Sequence, residues 1–226
     1  MSSIELPLVT APPSTGAALA PPERERLVRR ARLLAWTGIG WHGIEAAIAV
    51  VAGMAASSIA LIGFGADSLI ESLAGLALIW RFGHRRSASD AAERSAQRLI
   101  GVTFYVLASY VAIESLRTLA GGDHPRASWL GIALAAVTVV TMPPLALAKA
   151  RLGEQLGSSA TKSEGRQNLV CAYLSGALLI GLGGNALFGL WWLDPAAAFL
   201  IAGVAVREGR EAWRGESCCA RPSEAR

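Results

Sequence analysis

Apolar residues run along this chain in six long stretches, separated by short polar ones. Most stretches approach the roughly 20 residues that a helix needs to cross a bilayer. The pattern predicts helices over Leu33–Ala55, Ile59–Trp80, Leu99–Leu119, Trp129–Ala148, Thr161–Leu187 and Pro195–Val206. Local signals mark several boundaries. Thr161-Lys162-Ser163-Glu164 has the spacing of a capping box. Asp194 and Pro195 suit the N-cap and first position of the last helix. Met142-Pro143-Pro144 should kink or unwind the fourth, and Glu114 with Arg117 has the spacing of a local ion pair on the third. Three domains follow. Residues 1–32 form a disordered leader, rich in Ser, Ala and Pro, that ends in a basic collar. Residues 33–206 form the helical membrane domain, and residues 207–226 a short charged tail. The leader lacks a basic segment followed by an apolar one, so it is not a signal peptide.

Composition supports a multi-pass protein of the plasma or inner membrane. The chain is 53% hydrophobic and 17% charged, with a mean hydropathy of +0.41, against about 25% charged residues in a soluble domain. Charge then sets the orientation. Of 21 Lys and Arg residues, only Arg117 and Arg126 fall in segments that would lie outside if both termini were cytoplasmic. That asymmetry is the positive-inside signal. It accounts for the net charge of +4 and argues against nucleic-acid binding, because the basic residues are divided among four inner segments. The expected fold is therefore all-α: a six-helix transmembrane bundle with both termini cytoplasmic and no soluble C-terminal domain. Six of the seven tryptophans, Trp41 being the exception, sit at predicted helix ends, as an interfacial belt requires. Three cysteines make no disulfide scaffold.

Candidate chemistry centres on Gly63-Phe64-Gly65-Ala66-Asp67-Ser68-Leu69-Ile70-Glu71-Ser72 in the second stretch. Asp67 and Glu71 are four residues apart, so they share a helix face. A charged residue at the bilayer centre costs roughly 2.5–3.5 kcal/mol on insertion scales. Such residues pair, line a wet cavity or hold a cation. Two acids at one place favour half of a cation site over a pair of neutral, hydrogen-bonded carboxyls. Metal and protons would compete for these carboxylates, since only the deprotonated acid is a good ligand. Glu45 is a further intramembrane acid, read as a group that supports the metal ligands, a proton carrier or an interhelical hydrogen bond. His42 reads as interhelical packing, His84 as solvated, and Cys218-Cys219 as an inert pair in the tail. No His-Glu-x-x-His occurs, and no Ser/His or Cys/His pair can be placed on facing helices, so no enzyme is expected and no cofactor beyond a transported ion.

Six helices, both ends inside, and Asp-Ser-Leu-Ile-Glu on the second resemble the transmembrane domain of the cation diffusion facilitator family. The resemblance covers roughly Leu33 to Val206. It implies a divalent-metal transporter, with metal/proton exchange and efflux from the cytoplasm, in a member consisting of the membrane domain alone. The family pairs Asp-x-x-x-Asp on helix 2 with His-x-x-x-Asp on helix 5. Carried over, the metal ligands are Asp67, Glu71, Gln167 and Cys171, with Gln167 at the His place and Cys171 at the second Asp place. Glu164 falls at the family's preceding acid, as an outer partner of the site or a proton carrier, beside a simpler reading as a helix cap. A homodimer is implied by resemblance alone. Carboxylate and thiolate both suit zinc, while the oxygen-rich set also tolerates Mn²⁺ or Fe²⁺. The altered helix-5 positions keep open a second reading, a non-transporting metal sensor or partner subunit on the same scaffold.

Overall fold

The computed structural model describes residues 21–83, 90–121, 124–156 and 158–214. Six helices account for nearly all of them: α1 Pro21–Ala56, α2 Ile59–Gly83, α3 Asp90–Leu119, α4 Trp129–Leu156, α5 Ser159–Phe188 and α6 Leu193–Arg214. His84, Cys218 and Cys219 lie outside the described residues.

All six expected helices are present, yet most run past the apolar stretches that predict them. Residues 21–32, assigned above to the leader, are the first turns of α1. The fourth helix continues from Ala148 to Leu156, and the sixth from Val206 to Arg214. Hydropathy reports where the bilayer ends. The helix continues because Glu, Arg, Ala and Leu keep good helix propensity in water.

The α1–α2, α3–α4 and α5–α6 connections meet at one end of the bundle, here the loop end. Arg126 N–H donates to the Ala56 carbonyl at 2.7 Å, and its side chain donates to the Ala55 carbonyl. His124 stacks on Trp191 with ring centroids 4.0 Å apart. Asn185 donates to the Pro125 carbonyl at 2.8 Å. In the first connection, Ser58 N–H reaches the Gly53 carbonyl and Ser57 N–H the Met54 carbonyl. This is a Schellman motif with Ser57 at a φ of 55°, where glycine is usual.

Two capping expectations need correction. Helix α5 is capped by Ser158, whose hydroxyl accepts from Thr161 N–H at 3.3 Å. The helix therefore starts ahead of the Thr161 box, and Glu164 is turned to another use. Asp194 caps a different helix from its own. Its carboxylate accepts from Ile59 N–H at 3.0 Å, from Ala60 N–H at 3.3 Å and from the Ser58 hydroxyl. The N-terminus of α2 is rich in unsatisfied donors, and α6 starts beside it, so the carboxylate serves the neighbour.

The helices pack in pairs, α1 on α2, α3 on α6 and α4 on α5, while α2 also touches α3, α5 and α6. Phe64, Leu61, Val111, Leu178 and Leu182 fill the core. Helices α3 and α6 approach through Gly101 and Gly209, where an added Cβ on either would meet the other's carbonyl at 3.1–3.2 Å. The outer face carries Val51, Met54, Val106, Val140 and Ile180, each more than 60% exposed. Apolar side chains turned outward are what a lipid-facing surface needs. Among the described residues, Pro22–Ala56, Trp129–Leu156 and Glu164–Phe188 are each long and apolar enough to span. The expected Glu114–Arg117 ion pair forms on α3 at 2.5 Å. Pro143 and Pro144 lie within an uninterrupted α4, so the helix does not unwind there.

Candidate cation site

At about 1.5 Å per residue, Asp67 and Glu71 lie about 12 and 18 Å along α2 from its N-terminus. Both distances are shorter than the thickness of a hydrocarbon layer, about 30 Å. The two side chains point inward, because the residues between and beside them on the other face, Leu69 and Leu73, are exposed to the outside. Asp67 is 3% exposed, Glu45 0%, His42 6% and Cys171 1%.

Glu45 on α1 is the junction of four helices. Its Oε1 accepts from the Thr138 hydroxyl of α4 at 2.5 Å. Its Oε2 accepts from the Ser68 hydroxyl of α2 at 3.0 Å. The same Oε2 lies 3.8 Å from Cys171 Sγ of α5 and 3.2 Å from His42 Nδ1. One helical turn of α1 thus presents both His42 and Glu45 inward. His42 also faces α2, with its Nδ1 3.4 Å from Glu71 Oε2.

Glu71 and Gln167 meet across α2 and α5, as the resemblance implies, with the Gln167 amide donating to Glu71 Oε1 at 2.5 Å. The second oxygen of Glu71 is buried and has no hydrogen-bond partner among the described residues. Asp67 sits one turn nearer the loop end, within electrostatic range of Glu45 and of Glu208 on α6. Cys171 lies in the field of Glu71, Glu45 and Asp67. The ligand atoms of His42, Glu45 and Cys171 all lie within 4.8 Å of one another.

Toward the terminal end, Lys149 of α4 is buried against α1 and α5. Its Nζ lies 3.2 Å from Glu164 and donates to Asn168 Oδ1 at 3.2 Å. Glu164 therefore pairs with an ammonium rather than capping α5.

A model of the cation efflux transmembrane domain matches residues 39–214. The chain belongs to the cation efflux family. This cation efflux protein is thus an integral membrane protein and a cation transporter. The match spans α1 from Ile39 onward to the end of α6, so His42, Glu45 and the α2 acids all fall within it.

Four residues of the efflux protein carry more of the site than its sequence suggests. His42 and Glu45 are three apart on α1, which would have flagged them as a same-face pair. Their partners come from α2, α4 and α5, which spacing within α1 does not show. Lys149 falls just past the apolar stretch that predicts α4, where hydropathy drops, and reads as no more than a helix end. Glu208 gave no signal, lying beyond the apolar stretch.

Proposed function

We propose that this protein exchanges a divalent metal cation for protons and drives efflux from the cytoplasm, with both termini on that side. The cation is held inside the bundle between α2 and α5, in the region of Asp67, Glu71, Gln167 and Cys171. One observation carries the reading. Glu45 and Asp67 are buried and the Glu71 side chain is only 4% exposed, all three within electrostatic range of each other, and His42 is the one titratable base touching Glu45 or Glu71 among the described residues. Moving a single unpaired carboxylate out of water costs several kcal/mol even after relaxation. Three together are tolerable only when protons neutralise them or a cation balances them. These two solutions exclude each other at any one oxygen, because a ligating carboxylate must be deprotonated. Competition at a site that opens alternately to each side is metal/proton exchange.

The test is uptake into proteoliposomes of Zn²⁺, Co²⁺, Cd²⁺, Mn²⁺ or Fe²⁺, with and without a pH gradient, for wild type and for Asp67→Asn/Glu71→Gln. Uptake of at least one ion, stimulated by the gradient and abolished in the double variant, is expected. Uptake that ignores the gradient removes the proton coupling. Uptake that survives the double variant removes the site. No uptake of any ion by folded protein would favour the sensor or partner role.

A further inference from the structure

The helix-5 position expected to carry a histidine holds Gln167, which leaves the site between α2 and α5 without a nitrogen ligand. The structure brings an imidazole to the same place from another helix. We propose that α1 completes the cation site, with His42 Nδ1, Glu45 Oε2, Glu71 Oε2 and Cys171 Sγ as the ligand set. This rests on the transporter reading and narrows its cargo to a borderline transition-metal dication such as Zn²⁺ or Co²⁺.

Geometry carries the assignment. Tetrahedral zinc with bonds of about 2.0–2.3 Å has edges between ligand atoms of about 3.3–3.8 Å. The edges present are 3.2 Å from His42 to Glu45, 3.4 Å from His42 to Glu71 and 3.8 Å from Glu45 to Cys171. Three ligand atoms, from α1 and α5, therefore lie within 4.8 Å of one another, and Glu71 Oε2 of α2 stands 3.4 Å from the His42 corner of that triangle, placed to close in as the fourth. A second observation points to a ligand independently of the cluster itself. Glu71 Oε2 belongs to a side chain only 4% exposed, is aimed at the His42 nitrogen and has no hydrogen-bond partner among the described residues. A buried carboxylate oxygen left without a donor is expensive, and a cation between it and His42 removes the cost. The supports are also in place: Gln167 holds the other oxygen of Glu71, while Thr138 and Ser68 hold Glu45. Such outer partners fix the orientation of ligating carboxylates. Asp67 and Gln167 then act beside the ion rather than on it.

The donor set predicts selectivity. One imidazole, one thiolate and two carboxylates suit zinc and its neighbours, whereas Mg²⁺, Ca²⁺ and Mn²⁺ prefer oxygen alone.

The experiment uses the full-length chain carrying Cys218→Ser and Cys219→Ser, so that Cys171 is the one remaining thiol. It is loaded with Zn²⁺ or Co²⁺ in nanodiscs. X-ray absorption at the zinc edge is expected to show imidazole scattering and one sulfur at about 2.3 Å. Co²⁺ is expected to give a thiolate charge-transfer band in the near ultraviolet. Cys171→Ser should remove the sulfur and keep the imidazole. His42→Gln should remove the imidazole and weaken binding by more than the roughly 10–100-fold that losing an outer partner costs. An all-oxygen shell, no bound ion, or unchanged affinity in His42→Gln overturns the assignment. The spectrum of the otherwise wild-type site decides it even where a variant does not fold. Uptake by the same preparations separates the two claims. Transport with an all-oxygen shell leaves the transporter standing without α1, and a mixed shell without transport leaves the site standing without the transporter.

Discussion

Replacing Asp194 by alanine should destabilise the bundle at a distance from the residue's own helix. Two backbone donors, Ile59 N–H and Ala60 N–H, and the Ser58 hydroxyl converge on its carboxylate. The carboxylate is 1% exposed, so water does not readily replace it. Ser58 also accepts from Leu61 N–H at 3.1 Å, and that local cap survives the substitution. What is lost is the partner of two amides. At about 1–3 kcal/mol for each orphaned donor, the expected loss is about 2–6 kcal/mol. Loss of a negative charge at the positive end of the α2 dipole adds about 0.3–1 kcal/mol. Asp194→Asn keeps one acceptor oxygen and should fall between wild type and alanine. Reversible unfolding in mixed micelles, followed by tryptophan fluorescence, measures the difference. A cycle with Ser58→Ala should give a coupling of about 0.5–3 kcal/mol, as contacting residues do. A loss below about 1 kcal/mol for Asp194→Ala, or strict additivity with Ser58→Ala, would refute the cross-helix cap. The same substitution should also lower transport, because the cap fixes the start of the helix that carries Asp67 and Glu71.

Other substitutions probe the remaining contacts. Thr138→Val removes a buried donor from Glu45 without changing shape much, and should cost about 1–3 kcal/mol in the same unfolding assay. Lys149→Met leaves Glu164 and Asn168 without their partner. It should destabilise by up to about 3 kcal/mol, the low end for breaking a buried pair, because Glu164 is partly exposed. Lys149→Met/Glu164→Gln should recover part of that loss. Ser57→Gly relieves a left-handed serine at the end of α1 and should stabilise by about 1–2 kcal/mol, read as a raised unfolding midpoint.

The number and order of the helices were legible because a bilayer imposes a length and a polarity that hydropathy sees directly. Helix ends were less legible. A run such as Glu23 to Arg32 is polar enough to leave the membrane and helical enough to continue the rod. The α2 acids stood out because nothing else explains two carboxylates in an apolar segment, and Gln167 was placed beside Glu71 by resemblance. His42, Glu45 and Lys149 were undervalued for a common reason. Each has partners on other helices, and capping or periodicity rules compare a residue only with its own neighbours in sequence. Asp194 shows the same limit: the rule recognised a capping carboxylate and assigned it to the nearer helix.

The proline pair of α4 has a mechanical consequence. Pro143 and Pro144 carry no amide hydrogen, so the carbonyls of Val139 and Val140 have no intrahelical partner. Bending at this turn therefore sacrifices fewer hydrogen bonds than bending elsewhere in the helix. The two arms on either side are moored separately. Thr138 ties the first arm to Glu45, and Lys149 ties the second to Glu164 and Asn168. The rod therefore carries a compliant joint between the knot at the bundle centre and the ion pair near its end.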